Sequence, residues 1–153
     1  MIQRIQTFYL IAAIICLFVN TLVPMAYFTD HANNTFYLMH NGLQELVKGK
    51  IIQVYYSLSI TILLSVAIAM AVYIIINFKR RALQMFSCKI LWVAIFAIQG
   101  SILWIYFMIK PQFVHGKLSF TAFLPLLAMI FSILAFRNIK KDDDLVKSID
   151  RLR

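Results

Sequence analysis

The residues best suited to chemistry are three histidines, His31, His40 and His115, with Asp30 and Glu45 close to the first two in the chain. Imidazole nitrogens and carboxylate oxygens are the ligand types of catalytic zinc sites. Gathering these groups requires the segment around 30–50 to fold over the turn that carries His115. Their spacing follows no known ligand rule, so the expectation is solvated histidines and no metal. A metal-dependent enzyme outside the membrane stands only as a third alternative. Cys16 and Cys88 form no Cys-x-x-Cys pair and belong to different segments, so they read as small hydrophobes rather than a redox couple. No Walker loop, Gly-x-Ser-x-Gly or His-Glu-x-x-His occurs. The expectation is a protein that is not an enzyme and holds no cofactor.

Two further polar residues interrupt apolar runs. Asn20 reads as hydrogen-bonded within the bundle or lying near the outer end of its span, and Gln99 as one half of an interhelical hydrogen bond, worth on the order of 1 kcal/mol. No Asp, Glu, Lys, Arg or His falls inside the expected spans, which argues against an ion-driven pump. Asn33-Asn34-Thr35 matches a glycosylation sequon, a three-residue pattern common by chance.

The elements that would position these groups follow from composition. The chain has 153 residues, 62% hydrophobic and 14% charged, with a mean hydropathy of +0.82. That apolar excess lies in long runs and marks a polytopic membrane protein. Ile51 to Phe78 is roughly 28 residues without a formal charge, longer than the ~30 Å bilayer core at about 1.5 Å per residue. Ser57, Thr61, Ser65 and Ala69 recur on it every fourth residue as a small-residue packing seam. The run from Ile5 to Thr29 reads as an uncleaved anchor, too long for a signal peptide. Four spans are expected, at about 6–28, 53–77, 90–109 and 118–136. In the last, Thr121, Pro125, Ala128, Ser132 and Ala135 alternate in steps of four and three and turn one narrow face to a neighbour. Pro125 is expected to kink it.

The fold class is therefore all-α: a four-helix transmembrane bundle, one domain over 1–153, with a small extracytoplasmic first loop. That loop holds strand formers at Asn34–Met39 and a turn signal at His40-Asn41-Gly42, with a helical turn expected over Gly42–Lys48. Between the second and third spans, residues 79–89 read as a short connection lying at the membrane interface. The formal charge of +9 does not imply nucleic acid, because the basic residues flank apolar runs and form no continuous face. Most of the 15 Lys and Arg lie at Arg4, in Lys79–Lys89 and from Arg137 onward; only Lys48, Lys50, Lys110 and Lys117 fall on the other side. The positive-inside rule then sets both termini in the cytoplasm.

Residues 139–153 form the most distinctive stretch. Asp142 to Asp144 suit the start of a short amphipathic helix, and Lys147, Arg151 and Arg153 suit its end. Leu145, Val146, Ile149 and Leu152 fall on one face, which must meet lipid, the 79–89 connection or another protein. With Arg151 and Arg153 these are the candidate partner-binding residues.

The opening Met1-Ile-Gln-Arg-Ile-Gln-Thr7, the segment Phe78-Lys-Arg-Arg-Ala-Leu-Gln84 and the ending Lys140-Lys-Asp-Asp-Asp-Leu-Val-Lys-Ser-Ile-Asp-Arg-Leu-Arg153 resemble a family of four-span integral membrane proteins, a domain of unknown function from Bacteroidetes-type bacteria. The resemblance runs the length of the chain. Asp143 stands where Glu is expected and Lys147 where Arg is expected, both keeping the charge. It implies an inner-membrane protein and assigns no catalytic residue. The functional expectation is a scaffold or accessory subunit of an inner-membrane assembly, with the lipid bilayer and other membrane proteins as partners. The alternative is an oligomeric channel or a lipid or small-molecule transporter component.

Overall fold

The computed structural model describes residues 3–32, 34–47, 50–78 and 80–151. Four helices carry most of it: α1 (Gln3–Leu22), α2 (Ser59–Ile76), α3 (Arg81–Ile109) and α4 (Leu124–Arg151). All four are long and apolar enough to cross a membrane. α1 packs on α2 and α4, and α3 packs on the same two. The inward faces repeat in steps of three and four, as a packed helix must. On α1 they are Gln6, Leu10, Ala13, Leu17 and Asn20; on α2, Ile60, Leu64, Ala67, Ala71 and Ile74. The outward faces are as greasy: Phe8 is 69% exposed and Val93 70%. Such faces turned to water would oppose folding, whereas lipid chains solvate them at no cost.

The fold is not all-α. A five-stranded antiparallel sheet, in the order β4-β3-β2-β1-β5, caps one end of the helices. Its strands are β1 (Ala26–Thr29), β2 (Thr35–Met39), β3 (Gly42–Val47), β4 (Lys50–Tyr56) and β5 (His115–Leu118). Two of them come out of runs that read as membrane spans. The first span ends at Leu22, since Pro24 cannot donate to a helical ladder and the residue before a proline is pushed toward extended backbone. The second starts only at Ser59. Ile51–Tyr56 is β-branched and aromatic, free of charge but built for a pleated surface, and β4 pairs with β3 along its length. The stretch expected as a helical turn after Gly42 is β3 itself.

One sheet face is buried. Ala26, Phe28, Phe36, Leu38 and Leu43 alternate inward on three neighbouring strands, paired Ala26↔Leu38↔Leu43 and Phe28↔Phe36. The end of α3 reaches up to this face. Tyr106 lies 5.5 Å from the Phe28 ring, and Phe113 lies 5.3 Å from Phe28 and 4.8 Å from Phe36. Tyr106 Oη donates to the Gly116 carbonyl at 2.9 Å, fixing β5 to the same helix. At the near edge Thr61 Oγ1 donates to the His40 carbonyl at 3.0 Å, and Thr121 Oγ1 donates to that of Pro24.

Three other expectations are corrected. Residues 81–89 are the first turns of α3 and form no surface connection; Lys79 lies outside the described residues. The fourth span begins with a 3-10 turn at Phe120–Phe123, and Pro125 sits in the first turn of α4, where its missing N–H costs nothing and no kink is required. The acidic run does not start a separate tail helix. No Pro or Gly follows Pro125, so α4 continues without a break through Asp142–Asp144, with Lys147 paired to Asp143 at 2.6 Å across one turn.

Gly42 is the sheet's tightest point. Its φ is +130°, and a Cβ placed there would stand 2.0 Å from the Tyr55 carbonyl oxygen. Backbone cannot yield as a side chain can. Gly42→Ala is expected to cost about 2 kcal/mol or more, read as a lowered thermal midpoint of the purified protein.

Candidate functional site

At the end away from the sheet, the continuous α4 brings together groups that the sequence leaves far apart. The α4 inward face runs Pro125, Ala128, Ser132, Ala135, Ile139 and Asp142, all buried. Small residues let α1 approach closely along most of this line, and the line ends on a carboxylate that is only 8% exposed. Gln6 Nε2, from the first turns of α1, donates to Asp142 Oδ2. Arg81, the first residue of α3, donates from its guanidinium to the Asp142 backbone carbonyl at 2.9 Å. Gln84, one turn on, donates to the Ile74 carbonyl of α2 at 2.8 Å. Three hydrogen bonds thus join all four helices at one level. Asp142 Oδ1 is buried and has no protein partner among the described residues.

The expected spans themselves hold no ionisable residue, but Asp142, just beyond the fourth, is buried where the helices meet. By its sequence Asp142 suits the start of a separate tail helix. It is buried because α4 does not stop before it, and the three-and-four step set by Ala128, Ser132, Ala135 and Ile139 carries it inward. The same step is present in the sequence, running unbroken from Ala128 to Asp142. Gln6 and Gln84 were the other signals, as polar side chains on helices with little else polar.

The expected packing residues divide. Pro125, Ala128 and Ser132 are buried, and Ser132 Oγ accepts from Trp92 Nε1 at 3.1 Å. Thr121 lies in the 3-10 turn. Ser57 precedes α2 and its hydroxyl is 2.9 Å from that of Ser59. Ser65 and Ala69 are exposed on α2, so that row looks away from the other helices, whose contact is made by Leu64, Ala67 and Ala71. Of the partner-binding candidates, Leu145 and Val146 are exposed on α4. Ile149 and Arg151 belong to the same helix, and Leu152 and Arg153 lie outside the described residues.

The sheet separates the histidines. His31 follows β1, its backbone N–H donating to Asp30 Oδ1 at 2.7 Å, and His115 pairs with Thr29 at the start of β5. His40 sits in the turn at the other end of β2, about 17 Å away by strand rise. No group of three His, Cys, Asp or Glu able to hold a metal occurs among the described residues. Cys16 and Cys88 are free thiols, the second fully buried. Gln99 is buried with Oε1 unpartnered, as is Asn20 Oδ1, while Asn20 Nδ2 donates within its own helix to the Cys16 carbonyl at 3.2 Å. Among the described residues the interhelical bond expected of Gln99 is not made, and Asn20 lies two residues before the end of α1, near the outer end of the span. The sequon's Asn33 lies outside the described residues.

Removing one partner of a buried pair leaves the other desolvated. Gln6→Leu is expected to destabilise the protein by about 1–3 kcal/mol, and Gln6→Leu with Asp142→Leu by less than the two single changes added together. Thermal unfolding of the four proteins in one detergent measures the difference.

Comparison with curated proteins and with solved structures finds no match. The family model described as a domain of unknown function (DUF4293) matches residues 2–152, nearly the whole chain. The protein with this sheet-capped set of four apolar helices, tied at its far end through Asp142, belongs to the DUF4293 family.

Proposed function

We propose that the protein is a non-enzymatic, multi-pass scaffold or accessory subunit of an assembly in the bacterial inner membrane, with both termini in the cytoplasm. The observation that carries this reading is the continuation of α4 past the Gln6–Asp142 contact, with Leu145 and Val146 exposed on the part beyond it. Exposed aliphatic side chains on a rigid helix suit the groove of a partner. The positive-inside rule supports the orientation, since Arg81, Arg137, Lys140 and Lys141 gather at this end and Lys110 and Lys117 at the sheet. The outward faces of the four helices meet lipid or other spans.

A second reading, an oligomeric channel or a lipid or small-molecule transporter component, draws on three buried oxygens without partners among the described residues: Asn20 Oδ1, Gln99 Oε1 and Asp142 Oδ1. Such oxygens are costly in an apolar interior unless water or a solute meets them. On this reading, Gln99→Leu lowers solute flux into liposomes holding the protein; flux equal to that of empty liposomes removes it.

The scaffold reading has two tests. Thiols introduced beside Arg81 and at Val146 are expected to resist membrane-impermeant maleimide on intact cells and to react after lysis, while one at Lys117 reacts in both. Labelling of Val146→Cys from outside would invert the layout. A companion protein recovered in fixed ratio after mild solubilisation is expected to fall at least about tenfold with Leu145→Glu and Val146→Glu together. Unchanged recovery would remove the docking role of this helix end.

A further inference from the structure

The outward side of α4 near Asp142 carries three cations that the docking of a partner through Leu145 and Val146 does not use. Arg137, Lys140 and Lys141 are exposed on adjacent turns, and with Phe136 and Leu145 they line an open groove of about 600 Å³. Arg137 stands three residues before Lys140 and four before Lys141, so the like charges face one another on the helix surface and repel. No ion pair to any of the three is formed among the described residues. Asp144 borders the groove four residues after Lys140, yet the ion pair formed on this helix is Lys147–Asp143.

Depth identifies what would neutralise them. Asp142 touches Gln6 near the start of α1 and Arg81 at the start of α3, so it marks the level at which two neighbouring helices end. The three cations lie within about 8 Å of that level along α4. Helix ends of this kind sit in the headgroup zone of a bilayer, where long basic side chains reach for phosphate. Phe136 and Leu145 give the groove apolar walls that suit the first methylenes of an acyl chain and offer nothing to a free anion.

We infer that this face of α4 is a binding site for the phosphate of an anionic phospholipid, held by Arg137, Lys140 and Lys141. The site rests on the membrane placement proposed above and adds a specific lipid class to it. The chain supplies its own reporter. Trp92 stacks edge-on against Phe136 at 5.1 Å, and the only other tryptophan is Trp104, exposed near the sheet end of α3. In a Trp104→Phe variant, Trp92 fluorescence reports acyl chains beside the groove.

The protein is reconstituted in phosphatidylcholine vesicles in which a rising fraction of the lipid is replaced by phosphatidylglycerol or phosphatidylcholine brominated high in its chains. Half-maximal quenching is expected at about a third of the mole fraction for the brominated phosphatidylglycerol. Arg137→Gln, Lys140→Gln and Lys141→Gln together are expected to make the two lipids equal, whereas Lys110→Gln with Lys117→Gln leaves the preference intact. If the triple variant loses its helical circular dichroism, Arg137→Gln alone is expected to cut the preference by half or more. Equal quenching by both lipids, or a preference that survives the triple change, overturns the site. Loss of the preference on adding inorganic phosphate at constant ionic strength assigns the groove to a soluble anion and overturns the lipid proposal. Quenching by neither lipid overturns the membrane placement beneath it.

Discussion

The helices are as oily outside as they are inside, so burial of apolar surface cannot tell them which faces to turn toward one another. Fit and a few polar contacts must decide. Ala13 on α1, Ala67 and Ala71 on α2, and Ala128, Ser132 and Ala135 on α4 are all fully buried. They let backbones approach, and close approach is where dispersion is gained when lipid competes equally for every larger side chain. The polar contacts then fix register. A slip of one turn along α4 would separate Asp142 from Gln6 and Arg81 and leave a carboxylate desolvated, so the chain has one favourable alignment rather than several similar ones.

The sheet solves a different problem at the opposite end. Four of its strands sit between α1 and α2 in the order of the chain, and the fifth enters from the α3–α4 connection, so β5 beside β1 stitches the two helix pairs together. The aromatic stack of Phe28, Phe36, Tyr106 and Phe113 gives this junction a core of its own. β4 closes one edge with Ile51, Val54 and Tyr56 exposed. A bulge between Leu43 and Gln44 gives that edge its irregular register.

The four long helices were legible because absence of charge over about 20 residues admits few other structures. Their limits were not. Ile51–Tyr56 and Ala26–Thr29 carry no charge and thus extend an apolar run, but hydropathy does not separate a strand from a helix; β-branching and the proline at 24 do. The turn at His40-Asn41-Gly42 was readable because only glycine accepts the φ of residue 42. Asp142 was misplaced for the opposite reason. Three consecutive aspartates look like a solvated helix start, and local composition outweighed the longer three-and-four rhythm that continues through them. Nothing in the spacing of His31, His40 and His115 indicated that a strand would hold one of them apart from the other two. Which face of α2 turns inward was likewise hidden, since Ser65 and Ala69 are no less suited to contact than Ala67 and Ala71.

α4 has a mechanical consequence. With 28 residues and no hinge, it is a rod of about 42 Å anchored near one end where Thr121 bonds to Pro24 and toward the other where Asp142 meets Gln6. Because a continuous helix resists bending far more than a loop does, tilting the segment around Leu145 pivots the whole rod about the Gln6 contact. The opposite tip then swings against the β1–β5 seam, so the two ends of the molecule cannot shift independently.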